Sequence, residues 1–231
     1  MKSIFILLLA LPLALPAAAQ DYHPLAPGNF WSYLLDDGMH ELRVVGELVP
    51  VFGNMVYPIG HPYLDPFKGL VNYWSTEPDG DLLLWGWSRG TFGFLYQPPI
   101  VVVDSPLVVG KSWSTTVDLY AVTDSSFVET REFPYVVYDH ANITVPAGIF
   151  DSWGVGYGPS SSKALFDGRY NLMGEAIGSR SGNVERWYAE GVGVVEEYLS
   201  DVYWLETFTD HPVASEATTW GSVKALFHGQ D

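Results

Sequence analysis

The chain has 231 residues, of which 48% are hydrophobic, 15% aromatic and 16% charged, with 23 Gly and 16 Pro. This composition is too apolar for a disordered chain, and its glycine and proline content favours turns over long helices. The formal net charge of −16 disfavours nucleic acid as a partner, and the absence of cysteine excludes disulfides, thiolate metal sites, cysteine nucleophiles and a cysteine-linked lipid anchor.

The first 19 residues have the pattern of a secretory signal peptide. Lys2 supplies the positive start, an apolar run extends from Ile4 to Leu15, and Ala17-Ala18-Ala19 offers a cleavage site before Gln20. The alternative, a membrane anchor, needs about 20 apolar residues, and this run is shorter. The sequence therefore predicts an acidic mature chain without a membrane span, soluble in the periplasm or outside the cell of a bacterium.

Between residues 30 and 103, short apolar and β-branched runs alternate with turn sequences. Asp36-Asp37-Gly38 and Glu77-Pro78-Asp79-Gly80 carry the strongest turn signals, because Pro fixes φ and Gly tolerates positive φ. The runs predict strands at Phe30–Leu35, Met39–Val49, Met55–Ile59, Leu70–Ser75, Leu82–Trp87 and Ile100–Val103, the last bounded by Pro98-Pro99 and Pro106.

The second half continues the series. Trp113–Val122 alternates most clearly, with Val117 and Leu119 on the face opposite Ser114 and Asp118, which is typical of a half-buried antiparallel strand. Further strands are predicted at Phe127–Tyr138, Ile143–Val145, Phe150–Gly156, Asn183–Ala189, Val192–Leu199 and Val202–Phe208. The fold class is therefore all-β, a curved antiparallel sheet or incomplete barrel, with a β-sandwich as the alternative.

Two stretches depart from this pattern. Pro159–Gly182 is rich in Ser and Gly and predicts a long loop. Residues 209–231 predict a linker and one short helix, with Trp220, Val223, Leu226 and Phe227 on one face.

A nine-residue pattern occurs twice. Pro24-Leu25-x-x-Gly28-x-x-Trp31-Ser32 returns 82 residues later as Pro106-Leu107-x-x-Gly110-x-x-Trp113-Ser114. We interpret the mature chain as two related β units, 20–104 and 105–208, sharing one core, between the signal peptide at 1–19 and the C-terminal segment at 209–231. No flexible spacer separates the two units, and this disfavours independent domains.

Several short motifs resemble those of a broad set of exported bacterial β-rich proteins of unknown function. The motifs are Val145-Pro146-Ala147-Gly148-x-Phe150-Asp151 and Trp187-Tyr188-Ala189-x-Gly191-Val192-Gly193-x-Val195. The fold of that set resembles the curved half-barrel of the LolA/LolB lipoprotein carriers. The resemblance implies no catalytic residue, because the shared positions are turn and core residues.

Candidate catalytic and metal-binding patterns are weak. Gly86-Trp87-Ser88-Arg89-Gly90 matches a nucleophile elbow, but no helix is predicted after Ser88. Glu77, Asp79 and Asp81 place three carboxylates close together without the rest of a calcium loop. The six histidines (His23, His40, His61, His140, His211 and His228) form no metal-binding pair, and surface or turn positions are expected for them.

Acidic residues that could act as glycosidase pairs, Glu129 with Glu132 and Glu196 with Glu197, are candidates only by proximity in sequence. Glu196 and Glu197 are adjacent on a predicted strand, so they should point to opposite faces of the sheet. We therefore predict no catalytic residue, no metal and no cofactor.

The high tryptophan content is the most unusual feature. Trp85 and Trp87 are two residues apart, which predicts that they share a strand face, and Tyr73 and Trp74 lie on the preceding strand. Exposed, these four rings could bind a ligand; buried, they are core. The function expected is non-enzymatic binding of an apolar or lipid-like ligand or of an envelope partner. The alternative is a carbohydrate-binding or carbohydrate-active β-sandwich.

Overall fold

The computed structural model describes residues 20–61, 69–157, 185–198 and 202–209. Every regular element in these ranges is a β-strand, which confirms the all-β prediction. The strands are β1 (Phe30–Leu35), β2 (His40–Val45), β3 (Val49–Val51), β4 (Asn54–His61), β5 (Leu70–Thr76), β6 (Leu82–Arg89), β7 (Phe92–Val103), β8 (Ser112–Ala121), β9 (Phe127–Val145), β10 (Gly148–Tyr157), β11 (Glu185–Ala189), β12 (Gly193–Tyr198) and β13 (Val202–Phe208).

The strands form one antiparallel sheet that closes on itself. Neighbours follow the order β2-β1-β13-β12-β11-β10-β9-β8-β7-β6-β5-β4-β3, and β2 also pairs with β4 through Val44 opposite Gly60 and Val45 opposite Ile59. This last pairing closes twelve strands into a barrel, and β3 is an extra strand paired with β4. The curved antiparallel sheet predicted from the sequence is thereby confirmed.

Two predicted interruptions lie inside continuous strands. The run Ile100–Val103 is the end of β7, which continues through Pro98-Pro99, and Ile143–Val145 is the end of the 19-residue β9. The prolines fit because the register between β6 and β7 jumps from Gly86 opposite Leu95 to Leu84 opposite Ile100. The intervening residues of β7 bulge away from β6, so the missing proline N–H groups cost no ladder bond there.

Inward-facing side chains from all parts of the barrel pack into one core cluster, which includes Trp31, Ile100, Val137 and Leu205. A second, smaller cluster lies on the outer face of the sheet. There the hairpin of β3 and β4 folds over β6, so that Val51 and Val56 cover Leu83 and Trp85. The hairpin thus removes an apolar stretch of the outer surface from water.

The barrel has two distinguishable ends, because successive connections of an antiparallel barrel alternate between them. The upper end carries the turns 36–39, 90–91 and 122–126, and the lower end carries the turns 77–81, 146–147 and 190–192. The N-terminal segment enters at the lower end, where Gly191 N donates to Asp21 O. Tyr22 is 1% exposed, so this segment is part of the core.

The two copies of the repeated motif form the same turn. Gly28 and Gly110 both have φ of 87°, and each donates its N–H to a carbonyl of the next strand, Val45 in the first copy and Val137 in the second. The N–H of Val45 returns to Asn29 O, and that of Val137 returns to Lys111 O. The likeness is local, and the division into two β units stays a prediction.

Three predicted features fall outside the described residues: the signal peptide at 1–19, the loop at 159–182 and the helix within 210–231. In the part of the chain that the structure describes, no helix is long and apolar enough to cross a membrane.

Candidate functional site

The structure separates the two tryptophans that were expected to share a face. Trp87 packs in the main core, whereas Trp85 packs in the outer cluster with Leu83. The prediction is wrong because β6 contains a bulge, where Tyr73 pairs with Gly86 and Trp74 pairs with Leu84. Trp85 and Gly86 therefore follow each other on one face, and the alternation resumes in the opposite phase at Trp87.

The neighbouring strand distributes its own aromatic residues in the same way. Trp74 joins the main core and Tyr73 packs against the outer cluster. Trp74, Trp85 and Trp87 are 7%, 8% and 4% exposed, and Trp85 donates its Nε1–H to Ser75 Oγ at 2.8 Å. In this structure, the four residues predicted to bind a ligand are thus divided between two packed clusters.

The sequence patterns for a hydrolase or a calcium site lie in ordinary strands and turns. Ser88 is part of β6, shares a hydrogen bond of 2.8 Å with the Tyr73 hydroxyl, and is followed by a turn and β7 instead of a helix. Asp81 Oδ1 accepts the N–H of Ser105 at 2.7 Å. Among the described residues, no group of three or more His, Asp or Glu side chains is placed to hold a metal ion.

The histidines do not all lie at the surface or turn positions that the sequence predicts. His40 and His140 bond to Glu206 and Asp151 near the surface, but His23 and His61 are buried, contrary to the expected surface or turn positions. His211 and His228 lie outside the described residues.

Glu196 and Glu197 point to opposite faces, as predicted. Glu196 accepts hydrogen bonds from Trp204 Nε1 and the Tyr198 hydroxyl, whereas Glu197 is fully buried inside the barrel. Glu129 pairs with Arg131, and Glu132 accepts the Ser114 hydroxyl.

Glu197 belongs to a buried ionic network that joins strands far apart in sequence. Arg43 donates from Nε to Glu41 Oε1 at 2.6 Å and from Nη2 to Glu197 Oε2 at 2.7 Å. Arg186 donates from Nε to the other oxygen of Glu197. Glu41 also bonds His61 Nδ1 at 2.7 Å. We call Glu41, Arg43, His61, Arg186 and Glu197 the ionic network.

The network lies inside the upper half of the barrel. Glu41 is the second residue of β2, His61 the last of β4, Arg186 the second of β11 and Glu197 the penultimate residue of β12. Aromatic rings complete its surroundings. The guanidinium carbon of Arg43 is 4.4 Å from the ring centroid of Tyr33 and 5.5 Å from that of Tyr203, so the cation also faces two π systems.

Mutual pairing keeps both carboxylates ionised. Burial alone would raise the pKa of Glu41, but the charges and hydrogen bonds of Arg43 and His61 outweigh burial and lower this pKa to about 2. Burial also opposes ionisation of Glu197, and Arg186 and Arg43 reverse its effect, so the pKa of Glu197 lies below its usual value. For Arg43, burial acts to lower the pKa, and Glu41 and Glu197 raise it well above the ordinary range.

A small cavity of about 20 Å³ adjoins the network. Its lining includes His23, whose ring stacks on Trp31 with centroids 4.4 Å apart. Gly193 makes room for this ring, because a Cβ on Gly193 would lie 2.7 Å from His23 Nδ1. Burial lowers the pKa of His23 to about 3, and the charges of Arg43 and Arg186 act in the same direction. His23 is therefore neutral at physiological pH.

Sequence reasoning named Glu197 only as half of a candidate acid pair and His61 only as one of six histidines, and it missed Glu41, Arg43 and Arg186. A local signal existed at Glu41 and Arg43, which are two residues apart and therefore share a face of a strand. The chain has 11 Lys and Arg residues in all. Two of them are buried inside the barrel, where desolvation of their charges is unfavourable.

The outer surface carries an aromatic group formed by Phe52, Tyr120 and Phe127, which we call the aromatic patch. Ring centroids are 5.5 Å apart for Phe52 and Tyr120 and 6.1 Å apart for Tyr120 and Phe127. Phe52 is 37% exposed and Phe127 is 56% exposed. Phe52 occupies the turn between β3 and β4 with φ of 47°, a left-handed conformation that is unfavourable for a bulky residue.

Two solved structures are similar to the chain. One, described as an exported protein with a YmcC-like fold from Bacteroides fragilis, is 16% identical with a TM-score of 0.45 and covers 83% of this chain and 100% of its own. The other, described as a lipoprotein from Parabacteroides distasonis, is 15% identical with a TM-score of 0.36 and covers 83% of this chain and 99% of its own. No protein-family model and no curated protein matches the chain. At these TM-scores the likenesses carry no argument about function, and the LolA/LolB resemblance stays a prediction.

Proposed function

We propose that the chain is an exported, non-enzymatic protein that acts by binding another protein of the cell envelope through its outer surface. Export rests on the predicted signal peptide at residues 1–19. The observation that carries the proposed binding role is the aromatic patch, in which an exposed aromatic residue is held in an unfavourable backbone conformation. Aromatic side chains of this kind are enriched where proteins bind one another.

The ionic network supports a role other than acid–base catalysis. A glycosidase needs one protonated carboxyl group as its general acid, and its second carboxylate must face the substrate. Glu41 and Glu197 are both held ionised by arginines and are 3% and 0% exposed. A network whose carboxylates are paired and shielded from water is better suited to fixing the relative positions of β2, β11 and β12 than to transferring protons.

The packing of the barrel also favours a protein partner at the outer surface over an apolar or carbohydrate ligand. Inward-facing side chains of the described strands form a continuous cluster, so an apolar or lipid-like ligand on the concave face would have to displace part of that core. A carbohydrate stacking on Trp85 and Trp87 would meet them on opposite faces, where both are buried. These two alternatives are therefore less well supported than binding at the outer surface.

The turn at Phe52 gives the proposal its sharpest support. Val51 pairs with Asn54, so Phe52 and Gly53 form a two-residue hairpin turn with φ of 47° and 82°. Such a turn favours Asn or Gly at its first position. Phe at this position costs on the order of 1 kcal/mol of backbone strain, and it places a ring against Tyr120 at the surface.

Phe52→Asn is the variant that separates a binding role from a structural one. It relieves the turn strain and removes one ring contact worth roughly 0.5–1.5 kcal/mol, so the free energy of unfolding should change by no more than about 1 kcal/mol. A photo-crosslinking residue placed at Phe127 should capture one envelope protein in the native host, and Phe52→Asn should reduce that capture severalfold.

The matched control is the same crosslinker at Ile149, which is 69% exposed in the β9–β10 hairpin, away from the patch. Equal capture from both positions, or undiminished capture with Phe52→Asn, would contradict the proposal. Native mass spectrometry of the mature protein from its own host tests the alternatives, because a copurifying lipid or glycan would replace a protein partner as the proposed ligand.

A further inference from the structure

The cavity beside the ionic network has an unusual lining. Its polar lining consists of side chains that can donate hydrogen bonds: His23, Arg43, His61, Asn72, Arg186 and Tyr188. Glu41 and Glu197 bond the arginines but do not line the cavity. Of the charged groups in the ionic network, the two guanidinium groups thus line the cavity and the two carboxylates do not.

The arginines have hydrogen-bonding capacity left over. A guanidinium carries five N–H groups. Bonds among the described residues use Nε and one Nη2 hydrogen of Arg43, and Nε of Arg186, which also shares a hydrogen bond with the Tyr188 hydroxyl. The remaining N–H groups favour an acceptor, and a buried acceptor that carries negative charge is favoured more strongly than a neutral one.

The charges that act most strongly on His23 inside the cavity are those of the two arginines. The pKa of His23 is lowered first by burial and then by Arg43 and Arg186, and Glu197 opposes them with a smaller contribution. The ring of His23 lines the cavity, and there the two arginines act on its pKa more strongly than Glu197 does. A cation would be repelled at this position, whereas an anion would be attracted.

Size restricts the ligand further. At about 20 Å³ the cavity accommodates a single small ion or one or two water molecules, and it is too small for phosphate, sulfate or a sugar. We propose that this cavity is a binding site for one small monovalent anion of the size of chloride, held by Arg43, Arg186 and His23. This inference is independent of the proposed binding of an envelope protein.

Thermal unfolding in matched salts tests the site. The mature protein, exchanged into chloride-free buffer, is titrated with sodium chloride, sodium bromide or sodium gluconate at constant ionic strength. We expect the melting temperature to rise with chloride and bromide and to saturate, since a ligand that binds the folded state stabilises it. Gluconate is too large for the cavity and should give no saturating rise. Equal curves in all three salts would overturn the proposal.

A pair of variants ties the effect to the cavity. Val194 lines the cavity, so Val194→Leu should fill it and abolish the response to chloride. Val117→Leu adds the same methylene group to the main core on β8, away from the cavity, and should keep the response. A chloride response that survives Val194→Leu would contradict the assignment.

Crystallography gives a readout that does not depend on how well the variants fold. Crystals of the unaltered protein grown in sodium bromide should show anomalous density between the Arg43 and Arg186 guanidinium groups. A cavity that contains water alone, without a bromide peak, would overturn the proposal.

Discussion

Strands β1 and β2 and strands β8 and β9 pair in the same way but fill the barrel with different chemistry. Each pair begins with the repeated glycine turn, and each places a tryptophan opposite an inward-facing residue of the next strand. Trp31 lies opposite Arg43, whereas Trp113 lies opposite Tyr135. In the second pair the two rings stack with centroids 5.6 Å apart and an interplanar angle of 17°.

The comparison shows that this backbone arrangement does not require ions. The β8–β9 pair fills its inward positions with aromatic and aliphatic side chains, which gain packing and hydrophobic energy without the desolvation of charge. At the matching position, the β1–β2 pair buries Arg43, which needs two carboxylates from two strands to offset its desolvation. The ionic network is thus a specific feature of one side of the barrel, added to a fold that aromatic packing can sustain.

Substitution of Glu197 should give the largest difference in loss of stability between the two sides of the barrel. Glu197→Gln leaves Arg43 and Arg186 without the carboxylate that they share, and a buried pair broken in this way costs about 3–5 kcal/mol. Phe133→Leu, at a buried core position of β9, should cost less than about 2 kcal/mol because much of the apolar volume remains. Urea denaturation of both variants measures the difference, and equal losses would break the comparison.

The double variant Glu41→Leu/Arg43→Met extends that test. It removes one acid and one base together and leaves Glu197 paired with Arg186, so it should be less destabilised than Arg43→Met alone. A double variant that is less stable than either single variant would show that the charges contribute more than they cost.

Acid should weaken the β1–β2 side selectively through His23. Its pKa is about 3 in the folded protein and about 6.5 when unfolded, so folding favours the neutral ring. Its stabilising contribution is complete above pH 6.5 and is lost as pH falls towards 3, by roughly 1.4 kcal/mol per pH unit. Between pH 7 and pH 4.5 the free energy of unfolding should therefore fall by about 2–3 kcal/mol.

Below pH 4.5 the ionised carboxylates add to this loss. Glu41 has a lowered pKa of about 2, so its contribution is present above pH 4.5 and disappears as pH falls to about 2. His23→Phe keeps a ring against Trp31 and removes the titrating group, and it should flatten the stability profile between pH 6.5 and 4.5. An unchanged profile would assign the acid sensitivity to other groups.

The indole hydrogen bonds of Trp31 and Trp113 should differ less in their contribution to stability. Trp31 Nε1 donates to Val192 O at 2.7 Å, and Trp113 Nε1 donates to Val101 O at 2.8 Å. Trp31 is 0% exposed, whereas Trp113 is half-buried. Trp31→Phe should thus cost about 1–3 kcal/mol and Trp113→Phe about 1 kcal/mol or less, because the half-buried Trp113 site is partly open to water that can replace the lost hydrogen bond. Thermal denaturation decides between this order and its reverse.

Local patterns were sufficient to predict most strands. Phe30–Leu35 and Val202–Phe208 match the observed bounds, because each is flanked by turn-forming residues and alternates with a period of two. The faces of the strands were less predictable. A bulge adds one residue without a clear change of composition, and in β6 only Gly86, with φ of 143°, marks the place where the alternation changes phase.

The ionic network was not predictable from local sequence. Arg43 and Glu197 are separated by 154 residues and meet only because β2, β1, β13 and β12 are consecutive in the closed sheet. Strand order across such distances depends on the closure of the barrel, and no short motif specifies it. The spacing of Glu41 and Arg43 indicated a shared face, but not that this face would be the interior.

The smallest expected effect concerns Tyr135, the aromatic counterpart of Arg43. Its hydroxyl is buried and has no hydrogen-bond partner among the described residues, and burial raises its pKa well above the ordinary value. Tyr135→Phe removes an unsatisfied polar group while keeping the stack on Trp113, so it should be neutral or stabilising by up to about 1 kcal/mol. Urea denaturation should show an unchanged slope and an equal or higher midpoint. A loss above 1 kcal/mol would mean that the hydroxyl has a polar partner, such as a bound water, and that both sides of the barrel depend on buried polar contacts.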